Sequence, residues 1–170
     1  KLISLGINVN ARDNWGFTAL LKNVYRRHYL RDNPEKEVDK RIDILKALLD
    51  AGSKVSLKTS KNNNIFHIAA YERHPKRVLS FLKQKGGDIN SKNSEGTTPV
   101  MLSVMLDCQD YQTYKKCIKL KYENLKFFVE SGANINHRNK NGLTVLHNAA
   151  KYSEFPKSVL YLLNKGANHK

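Results

Sequence analysis

The sequence predicts an all-α repeat protein, an α-solenoid in which helix-turn-helix units stack side by side and carry short β-hairpin fingers. Two repeated phrases lead to this prediction. A polar turn phrase, DNWGFTAL in its first copy, occurs at residues 13–20, 62–70, 93–100 and 139–147. An apolar helix phrase follows each turn phrase and closes at Gly52, Gly86, Gly132 and Gly166. Repetition of this kind is typical of a stacked array and not of a globule around one closed core.

The repeat has two alternating lengths. The helix-closing glycines from Gly52 onward are separated by 34, 46 and 34 residues, so long units carrying a helical insert alternate with short units in one solenoid domain. The predicted divisions are residues 1–11 (the end of a preceding unit), 12–58 (unit 1, long), 59–92 (unit 2, short), 93–138 (unit 3, long) and 139–170 (unit 4, short and truncated). We therefore expect the chain to be an excerpt from a longer protein.

Each unit is expected to fold as a turn, a short first helix, a loop and a longer second helix. The turn glycines follow polar residues, where a tight turn favours a positive φ angle. Thr18, Thr98 and Thr144 occupy the position of a helix N-cap, and Pro99 suits the first helical position. The glycines that close the second helices are predicted to be left-handed caps. No unit could bury its own apolar face, so neighbouring units must pack together.

The long units contain about a dozen additional residues each. In unit 1, residues 26–30 are expected to prolong the first helix, and Pro34 to open the second. In unit 3, residues 107–110 are predicted to form a loop before a lengthened second helix that turns Tyr114, Cys117 and Ile118 inward. These longer helices either pack on each other and stiffen the stack or present a second binding edge.

These residues resemble the ankyrin repeat, whose motif is close to D-x-x-G-x-T-P-L-H-x-A-A followed by a leucine-rich helix and G-A-D-V-N. The similarity extends over essentially the whole chain and is strongest in unit 4 and in the first turn phrase. In unit 2, Asn62 and Asn64 replace the glycine and threonine of the motif. Leu21 and Met101 replace its histidine. The resemblance implies an L-shaped stack of helix pairs with fingers along one edge.

The resemblance also implies a scaffold or adaptor module that binds another protein and has no enzymatic activity. In ankyrin repeats the partner contacts come mainly from the finger tips and the exposed side of the first helix, which together form the concave face. Aromatic residues and arginine are frequent interface anchors, and Trp15 is the chain's only tryptophan. The predicted partner-binding residues are Asn14, Trp15, Phe17, Tyr25, Arg26, Lys61, Asn63, Tyr71, Glu95, Thr97, Lys140, Asn141, Leu143, Lys151 and Tyr152.

Two further sets of polar residues take roles from the same resemblance. His67 and His147 occupy the histidine position of the motif, where the ring forms hydrogen bonds between fingers, so a structural role is predicted for both. Asn10 and Asn90 each follow a leucine by eight residues, which makes them candidate sites of asparagine hydroxylation.

Positive charge is the second informative property of the sequence. The chain has 30 Lys and Arg residues against 15 Asp and Glu residues, a formal net charge of +15. Such an excess favours an acidic protein partner, and it also suits salt-dependent attachment to nucleic acid or anionic lipid. A solvated face without a ligand is the remaining interpretation. The predicted basic patch consists of Lys76, Arg77, Lys83, Lys85, Lys115, Lys116, Lys119 and Lys121.

Catalysis and the binding of a metal or cofactor have no support in the sequence. It contains no phosphate-binding glycine loop, no nucleophile motif beside a base and no recurring pair of carboxylates. Cys108 and Cys117 match neither a CxxC pair nor a metal-ligand spacing, so reduced thiols of an intracellular protein are expected. No apolar run is long enough to cross a membrane.

The predicted function is therefore a protein-interaction module that is cytoplasmic or nuclear and monomeric as an isolated segment. Two alternatives remain open. The basic surface could attach the protein to nucleic acid or to an anionic membrane. The array could instead be a targeting or spacer arm of a microbial or viral host-directed multidomain protein, acting in the host cytosol, because its irregular units and its lysine- and asparagine-rich composition are similar to those of such proteins.

Overall fold

The computed structural model describes residues 7–25, 34–105, 114–152 and 156–168. Helices and turns account for the regular structure of these residues, and no strand occurs among them. The predicted all-α repeat fold is confirmed. The helices are α1 Ala19–Val24, α2 Pro34–Asp50, α3 Ile65–Tyr71, α4 Lys76–Gln84, α5 Pro99–Leu102, α6 Tyr114–Glu130, α7 Val145–Tyr152 and α8 Pro156–Asn164.

The helices form two layers. Within each unit the first helix packs on the second, which gives the pairs α1–α2, α3–α4, α5–α6 and α7–α8. Between units, α1, α3, α5 and α7 contact one another in order, and α2 contacts α4, which contacts α6. The odd-numbered helices therefore form the layer beside the fingers, and the even-numbered helices form the opposite layer.

The second helices differ in length between long and short units. Helices α2 and α6 have 17 residues each, whereas α4 and α8 have nine. The predicted helix extension at 26–30 and the predicted loop at 107–110 lie outside the described residues. Cys117 is buried in α6 and disulfide-bonded, so the expectation of a reduced thiol at this position is wrong. Cys108 also lies outside the described residues.

One continuous apolar core runs through the units. The rings of Phe66 in α3 and Phe128 in α6 are both fully buried and meet edge to face, with centroids 5.8 Å apart. The ring of Phe127, the neighbour of Phe128 in α6, also lies near Phe66, with ring centroids 6.4 Å apart. Gly87 leaves room for this cluster, because a Cβ atom there would stand 2.6 Å from the Phe66 ring. The cluster joins unit 2 to unit 3.

The fingers are tight turns that are tied to one another in sequence. In the turns 13–17, 59–63, 93–97 and 139–143, the first N–H donates to the fifth carbonyl at 2.9–3.0 Å. Consecutive fingers are then joined, because the N–H groups of Ser60, Ser94 and Lys140 donate to carbonyls of the preceding finger at 2.9, 3.0 and 3.1 Å. Within each turn the N–H of the fourth residue also donates to the carbonyl of the first at 2.9 Å, so two backbone hydrogen bonds close each finger.

Left-handed backbone conformations occur at the predicted turn positions. Gly16 has φ +79°, and Asn62 takes the place of a turn glycine with φ +59°. Asparagine tolerates this conformation better than most residues. Gly16 is needed for a second reason, since a Cβ atom would lie 2.5 Å from the Ser60 nitrogen of the next finger.

Side-chain cap hydrogen bonds form at two of the three threonines. Thr18 accepts from the Leu21 N–H at 3.3 Å, and Thr144 accepts from the His147 N–H at 3.4 Å. Thr98 also occupies the predicted N-cap position, but its side chain forms no cap hydrogen bond and its hydroxyl is buried. Pro99 does occupy the start of this four-residue helix, where no intrahelical donor is needed.

Asparagines bridge consecutive units on the finger side of the second helices. In each bridge an asparagine side-chain amide donates to the carbonyl of the glycine that follows the second helix of the next unit. These bonds join Asn10 to Gly52 at 3.0 Å, Asn90 to Gly132 at 3.1 Å and Asn136 to Gly166 at 3.3 Å. Each side-chain oxygen accepts the N–H two residues beyond that glycine, at 2.9, 2.9 and 2.7 Å. These paired bonds fix the spacing between units.

Candidate functional site

A groove with a volume of about 600 Å³ lies between the finger tips and the first helices of units 1 and 2. Its far end reaches Leu102 in α5, so three consecutive units contribute to its walls. The lining residues are Asn14, Trp15, Phe17, Lys22, Tyr25, Thr59, Ser60, Lys61, Asn63, His67, Ile68, Tyr71 and Leu102.

The groove gathers about half of the residues that the sequence nominates for partner binding. The members of that set that line it are Asn14, Trp15, Phe17, Tyr25, Lys61, Asn63 and Tyr71. Their convergence follows from the repeat geometry, since equivalent positions of neighbouring units stand side by side in a solenoid.

Aromatic rings form one wall of the groove. Trp15 is 68% exposed and Tyr25 is 48% exposed, which is unusual for rings of this size on a single chain. Phe17 packs against Tyr25 with centroids 5.1 Å apart. The Lys22 ammonium lies 5.3 Å from the Trp15 ring and 4.9 Å from the Phe17 ring. Its ion pair with Asp13, at 3.0 Å, balances the lysine charge within the wall.

His67 supports the floor of the groove and joins two fingers. Its Nδ1 accepts from the Asn64 N–H at 3.2 Å, which completes a capping box at the start of α3. Its Nε2 donates to the Thr97 carbonyl of the next unit at 2.9 Å. Burial lowers the pKa of His67 from 6.5 to about 4, although the hydrogen bond to Thr97 opposes this shift. The ring is therefore neutral at pH 7.

The motif histidine of unit 4 has a different environment. His147 is exposed, and its Nδ1 accepts from the Thr144 N–H at 3.2 Å. His147 thus repeats the cap interaction of His67. The hydrogen bond from the ring to the next finger is described for His67.

Other nominated residues lie away from the groove. Thr97 is only 6% exposed, because its carbonyl accepts from His67 and its N–H donates to the Asn93 side chain at 3.0 Å. It is a structural residue in this fold. Arg26 lies outside the described residues. Those placed further along the fingers and in α7 are Glu95, Lys140, Asn141, Leu143 and Lys151, which are exposed, and Tyr152, which is half-buried.

The groove also contains residues that the sequence analysis did not nominate. Lys22, Ile68 and Leu102 occupy the same position in the first helices of units 1, 2 and 3, and all three line the groove. The spacing of 46 and 34 residues could have identified this position. The motif does not indicate this position, because it marks the finger tips more clearly than the helix face.

A buried polar cluster stands behind the groove, where α1 and α2 meet the turn after α3. Arg41, Glu72, Arg73 and His74 are all buried there. The Arg41 guanidinium donates to the Asn23 carbonyl, and His74 Nε2 donates to the Val24 carbonyl at 2.7 Å. Burial lowers the pKa of His74 from 6.5 to about 3, with Arg41 adding to the effect. This cluster joins unit 1 to unit 2.

The predicted basic patch lies on the second helices, in the layer away from the fingers. Several of its charges are engaged within the protein. Arg77 pairs with Asp39 at 2.6 Å, and Lys119 approaches Glu123 at 3.9 Å. Lys83 and Lys121 donate to backbone carbonyls of the next unit, at 3.4 and 3.2 Å. Lys85 lies over the Phe81 ring, and Lys76, Lys115 and Lys116 complete the patch.

No group of His, Cys, Asp and Glu side chains suited to a metal ion occurs in the part of the chain that the structure describes. Within the same ranges, none of the helices has both the length and the apolar character required to traverse a bilayer. The side-chain amides of Asn10 and Asn90 are occupied by the bridges between units. Hydroxylation of these two asparagines stays a prediction.

Comparison with known proteins identifies similar repeats. Residues 114–163 match the family described as ankyrin repeats (many copies). A fowlpox virus protein named for its ankyrin repeats is 31% identical over 111 residues, which cover 55% of this chain and 78% of that protein. Ankyrin repeat proteins of variola virus are 28% identical over 143 residues, or 84% of this chain. The chain spans 22% of the length of these variola virus relatives.

Proposed function

Because this chain belongs to the ankyrin repeat family, we propose that it is a non-enzymatic protein-interaction module that binds its partner in the concave groove of units 1 and 2. The carrying observation is the convergence of exposed aromatic rings there, above all Trp15 at 68% exposure. Exposed aromatic side chains of this kind are typical anchors of protein interfaces.

The proposed mechanism is rigid presentation. The His67 bridge between fingers, the bonds between consecutive turns and the asparagine bridges hold the groove in one geometry before the partner arrives. Preorganisation of this kind lowers the entropy cost of binding. The net charge of +15 supports an acidic partner, since complementary charge speeds and orients association.

The viral origin of the relatives supports a host-directed setting. The relatives described above come from fowlpox and variola viruses, which favours the interpretation that this segment belongs to a viral protein acting inside a host cell. The basic patch is the rival surface, and it would attach the chain to nucleic acid or anionic lipid.

Affinity capture from cell lysate, with and without nuclease and at low and moderate salt, tests the proposed function. We expect Trp15→Ala combined with Tyr71→Ala to reduce recovery of a discrete protein at least about tenfold, since loss of interface anchors costs about 2 kcal/mol or more. The matched control changes Lys115, Lys116 and Lys119 to Ala and leaves Lys121, which bonds to the Tyr152 carbonyl.

The control variant should retain the partner, and thermal unfolding should show that both variants are folded. Recovery that disappears with nuclease or moderate salt and depends only on the lysines would contradict the proposal, because loss of affinity with salt is the property of polyanion binding.

A further inference from the structure

The groove has two chemically different linings, and each suits a different part of a ligand. Its apolar lining combines the rings of Trp15, Tyr25 and Tyr71 with the aliphatic side chains of Ile68 and Leu102. Trp15 and Tyr25 keep 68% and 48% of their surface exposed. Exposed apolar surface beside a groove favours an occupant that brings a large apolar side chain of its own.

Lys61 gives the groove a positive charge that no described carboxylate of the protein pairs with. The ammonium of Lys22 is balanced by Asp13 at 3.0 Å and lies against two rings, so it acts as part of the wall. Lys61 is exposed at the finger tip of unit 2, and none of the described carboxylates forms an ion pair with it. The acidic tip residue Glu95 belongs to the next finger and does not line the groove. A carboxylate of the ligand is the complement of Lys61.

The dimensions of the groove fit a short extended chain. Three consecutive units line it, and neighbouring helices pack 8–10 Å apart, so the groove extends over about 20 Å. An extended chain rises about 3.3 Å per residue, which corresponds to a segment of about six residues.

We propose that the groove binds an extended acidic segment of a protein partner, which places one large apolar side chain between Trp15 and Tyr71 and a carboxylate at Lys61. This inference rests on the proposed function and specifies its ligand. A single-stranded nucleic acid would also stack on aromatic rings, but its backbone requires a track of several cations. Among the described lining residues, Lys22 is paired with Asp13 and Lys61 is the one cation without an ion pair, beside aliphatic Ile68 and Leu102, so the peptide is favoured.

Selection from a random library of peptides about 12 residues long tests this inference. The library would be selected on the 170-residue chain and depleted on the Trp15→Ala/Tyr71→Ala variant. Binding of the enriched peptides can be followed by the emission of Trp15, the chain's only tryptophan. We expect the enriched peptides to share an acidic residue near an aromatic or large aliphatic residue. Lys61→Glu should weaken their binding at least about tenfold.

Lys92→Glu is the matched control, because Lys92 is also exposed, directly before the finger of unit 3, and does not line the groove. This variant should bind the peptides as the wild type does. Enriched peptides without acidic residues, or binding indifferent to Lys61→Glu, would overturn the inference. Failure to enrich any peptide would also overturn it, as would a twelve-nucleotide oligothymidylate that alters Trp15 emission at lower concentration than any peptide.

These outcomes separate the inference from the proposed function. If a captured partner depends on Trp15 and Tyr71 but not on acidic residues, the proposed function stands and the inference fails. If the captured partner is indifferent to both rings, the groove is not the binding site and both fail together.

Discussion

Acidification from pH 7 to pH 5 is expected to lower the free energy of unfolding by about 4 kcal/mol, with about 2 kcal/mol from each of His67 and His74. Both rings have a pKa lowered by burial, to about 4 and about 3, against 6.5 when exposed. As the pH falls, the unfolded chain therefore takes up protons before the folded chain does. The stabilisation is complete above about pH 7 and is lost progressively as the pH falls toward the folded-state pKa values.

Urea unfolding at pH 7, 6 and 5 measures this effect. His67→Gln and His74→Gln should each be less stable at pH 7, since both remove a hydrogen bond to a neighbouring unit. Each variant should also lose about half of the pH dependence. A wild-type stability that stays constant between pH 7 and pH 5 would contradict the description of these rings as buried and neutral.

Truncation of Phe66 to Ala is expected to lower the free energy of unfolding by about 3–5 kcal/mol, the range for a buried phenylalanine. The ring is fully buried and contacts Phe127 and Phe128 of the next unit, so its removal leaves a cavity at the junction of units 2 and 3. Neighbouring units stabilise one another in a solenoid, and loss of this junction should broaden the unfolding transition.

Leu160→Ala is the control for this substitution. Leu160 is 56% exposed on α8, so its truncation should change stability by well under about 1 kcal/mol. Equal effects of the two substitutions in urea unfolding would show that the core does not pass through Phe66.

The turn and helix phrases could be predicted from the sequence because their residues have local backbone requirements. Gly16 and Gly52 adopt positive φ angles readily because they have no side chain. Asn62 also has a positive φ angle, so the turn keeps its conformation where asparagine replaces glycine. The Thr18 cap is likewise a local interaction. Such features repeat in every unit, and repetition strengthens a weak local signal.

The features that the sequence analysis missed depend on contacts between units. The place of Thr97 in the finger predicts partner binding, but the residue is buried and its carbonyl accepts from His67 of the preceding unit. Arg41 and His74 become neighbours only when α2 packs beside the turn after α3. The roles of Asn10 and Asn90 as bridges were hidden for the same reason, since their acceptors are 42 residues further along the chain.

The location of the candidate site on the concave face could be predicted from the sequence, but only some of its lining residues could. Trp15, Phe17 and Tyr71 could be nominated because the motif fixes the finger tips and the length of the first helix, which ends at Tyr71 in unit 2. Lys22 and Leu102 required knowledge of which face of the first helix remains open. The distribution of charge in the groove was not predictable, since Lys22 pairs with Asp13 and leaves Lys61 as the unpaired cation of the described lining.

Site-specific photo-crosslinking tests the central claim most directly. A benzoylphenylalanine would be placed at Tyr25, a half-exposed ring of the groove wall, and separately at Lys119, an exposed residue of the basic patch on α6. We predict that the captured partner cross-links from position 25 and not from position 119. Cross-linking from position 119 alone would contradict the account and would assign partner binding to the second helices.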